Sequence, residues 1–169
     1  MKKSSKILIL LVLSFVGFNS CERDDLCDSS QAVTPRLIVT FVNANNTLER
    51  KAVASLTITE VVNNTLAPLN DTGATALAAV DSIAIPLNTN DNLTTYRFSN
   101  DNGTIDQMDD LVFSYMVNEE YINRACGFKN TFEDLNTTIT NGANSWIDNV
   151  QVITDNVTNT NNIHVEIRH

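Results

Sequence analysis

The densest group of potential metal ligands is an oxygen-rich stretch. Asn100–Asp106 is closely followed by Asp109 and Asp110, and carboxylate and amide oxygens are the ligands that calcium prefers. A calcium-binding loop of the EF-hand type needs an acidic residue at its first position and glycine at its sixth. Aligning Gly103 with that glycine puts Phe98 at the first position. We therefore expect a polar hairpin loop here, with no bound metal and no cofactor.

The histidines and paired carboxylates are not spaced for catalysis. A zinc site or a hydrolytic triad needs a histidine near further ligands or near a nucleophile. The sequence has two histidines. His164 is expected on the polar face of the last strand, either facing solvent or packed against a loop, and His169 is expected to fray. Glu119 and Glu120 are adjacent, so on a strand they would point to opposite faces. We expect no catalytic residue and no enzymatic activity.

Aromatic rings are a further class of residue that could carry function, because flat, exposed rings stack on sugars. Trp146, Tyr96, Tyr115 and Tyr121 could line such a platform. Four rings are no more than the core of a domain this size requires. We expect them in the core and keep a glycan platform as the alternative.

The first cysteine follows a segment that is typical of a secretory signal. Met1–Lys6 carries three lysines, and the twelve residues of Ile7–Phe18 are apolar. Such a run is shorter than the ~20 residues that span a bilayer and fits the apolar region of a signal peptide. Phe18-Asn19-Ser20-Cys21 resembles a bacterial lipobox, although leucine and a small residue are usual at its first two positions. Residues 1–20 are therefore predicted to be a lipoprotein signal peptide, and Cys21 to carry the lipid.

Polar residues directly after this cysteine carry a second signal. They are Glu22, Arg23, Asp24 and Asp25. They look like the acidic export signal of Bacteroidota lipoproteins that reach the cell surface; the alternative is a solvated linker. We expect an outer-membrane, lipid-anchored protein at the cell surface, with the periplasmic face as the alternative. Ser82, in Asp81-Ser82-Ile83, similarly resembles a Bacteroidota O-glycosylation acceptor, or is an ordinary strand start.

The remaining chain is acidic and of single-domain length. Residues 21–169 number 149 and carry eight Lys and Arg against twenty Asp and Glu, a net charge of −12. This charge repels nucleic acid and anionic headgroups, so membrane attachment must come from the lipid. Expected partners are the membrane, and envelope proteins or glycans, with no nucleic acid.

The segments between Asn-rich turns show one of two patterns that are typical of strands. Most alternate apolar and polar residues, whereas Arg36–Val42 and Leu111–Val117 are apolar stretches. The predicted strands are Arg36–Val42, Val53–Val62, Ile83–Leu87, Thr94–Ser99, Leu111–Val117, Trp146–Thr154 and 163–168. Ala74–Val80 is compatible with a short helix, and Phe128–Leu135 with a helical turn or two. We predict an all-β fold: a tether over 21–34, then over 35–169 an antiparallel β-sandwich of immunoglobulin or transthyretin type with seven or eight strands. A closed barrel is the alternative.

With Cys21 lipidated, Cys27 and Cys126 remain as an even pair in an oxidising compartment; two free, buried thiols are the alternative. Several short motifs then form a series along the chain. They are Cys21-Glu22-Arg23-Asp24-Asp25-Leu26-Cys27, Thr34-Pro35-Arg36-Leu37, Ile85-Pro86-Leu87, Ala125-Cys126-Gly127-Phe128 and His164-Val165. Together they resemble an uncharacterised family of small Bacteroidota lipoproteins. The resemblance implies a lipidated, secreted β-domain with Cys27 and Cys126 paired, and no assigned activity.

The sequence thus predicts an envelope-anchored lipoprotein whose β-domain has a non-enzymatic structural or interaction role. A surface ligand- or glycan-binding accessory protein is the alternative.

Overall fold

The computed structural model describes Cys27 and residues 33–101, 103, 105–142 and 144–169. These residues form eleven strands and no helix, so none of them belongs to a helix that could cross a membrane. The strands are β1 (Leu37–Asn43), β2 (Asn46–Arg50), β3 (Val53–Glu60), β4 (Thr65–Leu66), β5 (Ala76–Val80), β6 (Ser82–Ile85), β7 (Leu93–Asp101), β8 (Asp106–Asn123), β9 (Gly127–Asn141), β10 (Asn149–Val152) and β11 (Val165–Arg168).

The described chain falls into two compact units. Cys27 and Tyr121–Phe128 belong to the first, which contains the turn between β8 and β9. Val33–Glu120 and Lys129–His169 form the second, which contains both β-sheets.

The first sheet has five strands and is built around β1. One edge of β1 pairs in parallel with β11, which pairs in turn with β10. The other edge pairs first with β6 and then with β2, both antiparallel. Phe41 marks the change of partner, because its N–H donates to the Asp81 carbonyl at 2.9 Å and its own carbonyl accepts from the Lys51 N–H at 3.1 Å.

The second sheet has six strands in the order β4-β3-β7-β8-β9, and β5 pairs with the edge of β3 that also holds β4. In this sheet the β7–β8 hairpin is continuous from Leu93 opposite Ser114 to Asp101 opposite Asp106. Thr94, Tyr96 and Phe98 are buried along β7 while the residues between them are more exposed. This alternation is that of a sheet with one face in the core.

Apolar side chains from both sheets form one core. The largest fully buried ones are Phe41, Phe98, Phe113, Phe132, Leu37, Leu56, Ile58, Leu69, Ile85, Leu111, Ile147 and Ile167. Burying each such side chain contributes roughly 1.5–3 kcal/mol. Two separate sheets around one core confirm the predicted all-β sandwich, and neither sheet closes into the barrel that was the alternative. The fold differs from the prediction in two respects: it has eleven strands, where seven or eight were expected, and β1 and β11 pair in parallel.

Both predicted helical segments are wrong. Ala76–Val80 forms β5, because the free edge of β3 pairs with it from Val53 opposite Val80 to Thr57 opposite Ala76. The alanine-rich composition favours a helix only weakly, and tertiary pairing overrides that preference. Phe128–Leu135 lies within β9.

The predicted pairing of Cys27 with Cys126 is confirmed, and the alternative of two free thiols is wrong. The two cysteines form a disulfide across 99 positions of sequence, with their Cα atoms 4.9 Å apart. Cys126 lies in the turn between β8 and β9, three residues after the last residue of β8. Its N–H donates to Asn123 Oδ1 at 2.7 Å. The disulfide therefore attaches the chain at Cys27 to the end of the β8–β9 hairpin.

Removing this disulfide should destabilise the protein substantially. A cross-link closing a loop of about a hundred residues gives roughly 4–5 kcal/mol in the chain-entropy model, and removing native disulfides typically costs about 2–5 kcal/mol. We expect Cys27→Ser, made in a Cys21→Ala background, to lower the free energy of unfolding by about 2–5 kcal/mol in urea denaturation. Cys126→Ser should cost the same and the double variant no more. Reaction of both thiols with a maleimide in the folded, unreduced protein would contradict the pairing.

Candidate functional site

The end of the β8–β9 hairpin carries two aromatic rings that remain open to solvent. Tyr121 lies near the end of β8 and Phe128 near the start of β9, and each is 58% exposed. Their ring centroids are 5.2 Å apart at an interplanar angle of 62°, an edge-to-face pair of the kind that aromatic rings favour. They flank the turn that holds Cys126.

The other three rings of the predicted aromatic set lie in the core. Each satisfies its polar atom by donating to a backbone carbonyl: Tyr96 to Pro86 at 2.7 Å, Tyr115 to Asn88 at 2.8 Å, and Trp146 to Phe98 at 3.2 Å. Burial raises the pKa of both tyrosines, and for Tyr96 nearby Glu60 raises the pKa further. Tyr121 is thus the exception to the expected core burial, and these four rings do not form one platform.

A buried carboxylate on β8 binds the backbone of the loop after β9. Asp109 is 1% exposed. Its Oδ1 accepts from the Gly142 N–H at 3.1 Å, and its Oδ2 accepts from the N–H groups of Trp146 and Ile147 at 2.9 and 3.0 Å. Glycine is required at position 142, because a Cβ there would overlap the Met108 carbonyl oxygen. Three N–H donors satisfy the buried charge, so Asp109 fixes the loop that places Trp146 in the core.

Two further acids of the predicted oxygen-rich stretch, Asp110 and Asp101, have separate partners. Asp110 accepts two hydrogen bonds from Arg97 on the paired strand, at 2.8 and 2.9 Å, and raises the pKa of that guanidinium. Asp101 Oδ1 accepts from the Gly103 N–H at 2.8 Å. Within the part of the chain that the structure describes, no three His, Cys, Asp or Glu side chains are grouped to hold a metal ion.

His164 is fully buried, so of its two expected positions the solvent-facing one is wrong. It lies one residue before β11, where the N–H of Ile38 on β1 has no strand to pair with. Imidazole Nδ1 accepts from that N–H at 3.0 Å, and the His164 N–H donates to the Ile38 carbonyl at 3.0 Å. Because Nδ1 accepts, the neutral ring carries its proton on Nε2, which makes no well-formed hydrogen bond with any described residue.

Burial lowers the pKa of His164 below its ordinary value of 6.5, and the backbone of Asn159 only partly opposes this shift. The ring is therefore neutral at pH 7. Protonating the ring would charge a buried group and break its hydrogen bond with Ile38. The neutral imidazole thus supplies the acceptor for the Ile38 N–H at the edge of β1.

His169 packs rather than frays. Its ring lies edge-on to those of Trp146 and Phe41, with centroids 5.3 and 6.1 Å away, and burial lowers its pKa. Glu119 and Glu120 are both exposed on β8, and Glu120 pairs with Lys129 at 3.2 Å. These residues do not converge with His164 on a common site.

The predicted lipidation and export residues, Cys21, Glu22, Arg23, Asp24 and Asp25, lie outside the described residues. Ser82 is the first residue of β6, and its side chain is exposed. Its glycosylation stays a prediction.

Asp109 and Asp110 provide a matched test of the buried carboxylate. Hydrogen bonds to charged groups contribute about 1.5–3 kcal/mol each, so Asp109→Ala, which leaves three N–H groups without their acceptor, should cost at least about 3 kcal/mol in urea denaturation. Asp110→Ala removes only a partly exposed ion pair, which is worth about 1 kcal/mol or less. Equal losses in the two variants would contradict the role assigned to Asp109.

The buried imidazole predicts a loss of stability in mild acid. The unfolded histidine takes up a proton as the pH falls below about 6.5, whereas the folded one resists until its lower pKa is reached. The free energy of unfolding should therefore fall through this window, by up to about 1.4 kcal/mol per pH unit for one proton. His164→Asn keeps an acceptor near the Nδ1 position but does not titrate, so its unfolding free energy, measured from pH 7.5 to 5, should fall less steeply.

His169 contributes a slope of the same sign, because its pKa is also lowered. The His164→Asn/His169→Asn double variant should consequently have the flattest profile. Identical profiles for wild type and His164→Asn would show that His164 is not the group responsible.

Comparison with known proteins gives one match. A family model described as a family of unknown function, DUF6452, matches residues 53–169. The matched span runs from β3 to β11 and includes Asp109, Cys126 and His164. No curated protein and no solved structure matches the chain. Since the family model covers more than half of the sequence, the chain belongs to DUF6452, a family whose function is unknown.

Proposed function

We propose that this protein is an envelope lipoprotein of the Bacteroidota type. In this proposal it is cleaved before Cys21, held in the outer membrane by a lipid on that cysteine, and exposed at the cell surface. Its β-sandwich is a non-enzymatic structural or interaction module.

The disulfide between Cys27 and Cys126 is the observation that carries the proposal. Disulfides persist in oxidising compartments outside the cytoplasm and are rare in reducing ones. The bond therefore supports export, and the segment before Cys21 has the charge and apolar length of an export signal. The disulfide and the N-terminal sequence therefore support the same compartment independently.

The use of the buried polar side chains supports a structural module. Asp109, Tyr96 and Tyr115 each hydrogen-bond to loop backbone, and His164 bonds to the backbone of β1. A general acid or base must reach a substrate proton, whereas these groups are committed to holding the fold. The net charge of −12 over residues 21–169 also makes a lipid the natural means of membrane attachment.

The lipid on Cys21 can be tested in cells of the native host. Mass spectrometry of the membrane fraction should identify an acylated peptide that begins at Cys21, because only the thiol can form the thioether. Cys21→Ala should lose both the acyl mass and the membrane association. Cys27→Ser is the matched control, since it removes the disulfide while leaving the lipid and the membrane association in place.

The same cells report on which side of the membrane the protein lies. Protease added to intact cells should digest the wild type. The triple variant Glu22→Ala, Asp24→Ala, Asp25→Ala should be protected if these acids direct surface export. An unmodified Cys21 in mature, membrane-free protein would overturn the proposed anchor. Equal digestion of the wild type and the triple variant would show that the acids do not direct surface export and serve only as a linker.

A further inference from the structure

The exposed aromatic residues of the described chain are confined to one place. Seven of its nine Phe, Tyr and Trp rings are buried, and the two exposed ones are Tyr121 and Phe128. They contact each other on the hairpin end that the disulfide joins to Cys27. Two exposed apolar rings in contact form an apolar surface patch, and such patches mark interaction sites.

The charge of this segment is opposite to that of the chain around it. Tyr121–Phe128 contains one charged residue, the exposed Arg124, and no carboxylate, whereas residues 21–169 have a net charge of −12. An aromatic pair beside a single arginine matches the membrane–water interface. There, amphipathic aromatic rings sit at headgroup level and basic side chains reach the phosphates.

The covalent structure holds this segment close to Cys21. Six residues separate Cys27 from Cys21, which limits their Cα atoms to about 22 Å even for a fully extended chain. The disulfide then places the Cα of Cys126 4.9 Å from that of Cys27. Through the backbone alone, β1 begins sixteen residues after Cys21, a reach of more than 50 Å. The hairpin end is thus the part of the fold most tightly restrained to the anchor.

We infer that the Tyr121–Phe128 hairpin end is a membrane-contact surface, which rests its two aromatic rings and Arg124 among phospholipid headgroups beside the lipid anchor. The inference rests on the proposed lipid at Cys21 and adds to it: the lipid supplies attachment, and the hairpin end supplies a second, weaker contact. A phosphate-bearing lipid surface is the occupant. A protein partner on the same rings is the competing outcome.

Depth-dependent fluorescence quenching tests this contact in the full acylated protein. Tyr121→Trp and Phe128→Trp are each reconstituted into phosphatidylcholine vesicles with acyl chains brominated close to the headgroup, after mass spectrometry has verified the lipid. Each variant should lose a clearly larger fraction of its fluorescence than the wild type, whose single Trp146 is 8% exposed and provides the background. Bromines near the acyl-chain ends should quench less.

Leu48→Trp is the matched control, because Leu48 is 96% exposed on β2 and the disulfide does not restrain it to the anchor. It should be quenched no more than the wild type. Adding Arg124→Glu to Tyr121→Trp should reduce the quenching, since the reversed charge is repelled by the phosphates.

The outcomes separate the two proposals. A protein without a lipid on Cys21 overturns the proposed function before any vesicle is used. An acylated protein in which the Tyr121→Trp and Phe128→Trp variants are quenched no more than Leu48→Trp overturns the membrane contact and leaves the anchor standing. Such rings would then be available to a protein partner.

Discussion

This fold depends on hydrogen-bond partners for the backbone N–H and carbonyl groups of the segments that cross between its two packed sheets. A buried N–H or carbonyl without a partner is costly, and the described chain crosses between the sheets four times, after β2, β5, β6 and β9. Asp109 accepts three N–H groups of the crossing after β9. Tyr96 and Tyr115 donate to carbonyls of the crossing after β6. All three side chains come from the second sheet. This sheet therefore fixes both the segment by which the chain leaves the first sheet after β6 and the segment by which it re-enters that sheet after β9.

Strands with one buried face could be predicted from sequence, and irregular or exposed ones could not. Alternation located β3 and β7 closely, and the continuous apolar run of Arg36–Val42 located β1. The strand β2 has no buried residue and so carried no signal. In β9 the buried Phe132 and Leu135 are three positions apart, a helical spacing. Asp134, with φ of 54°, lies between them. A left-handed residue inside a strand, as in a β-bulge, changes which alternate residues face inward, and period-two analysis cannot anticipate it.

The polar core residues were missed for two different reasons. Asp109 alternates in step with Leu111, Phe113 and Tyr115, which are all buried on β8. Extending the predicted strand by two residues toward the N-terminus would therefore have placed Asp109 on the buried face. His164 directly precedes Val165, which is buried together with Ile167. Alternation along the strand therefore assigns His164 to the opposite, solvent-facing side. Its burial depends on β11 starting one residue later, opposite Val39. That register comes from a parallel pairing between strands far apart in sequence.

The disulfide changes where tension on a membrane anchor would enter the molecule. Without it, a pull at Cys27 would pass along the backbone to β1. Every other strand of the first sheet pairs with β1 or with its neighbour β11, so peeling β1 away would dismantle that sheet. With the bond in place, the load passes from Cys27 to Cys126, between β8 and β9. Because the disulfide carries the tension, β1 is not pulled away from the other strands of the first sheet.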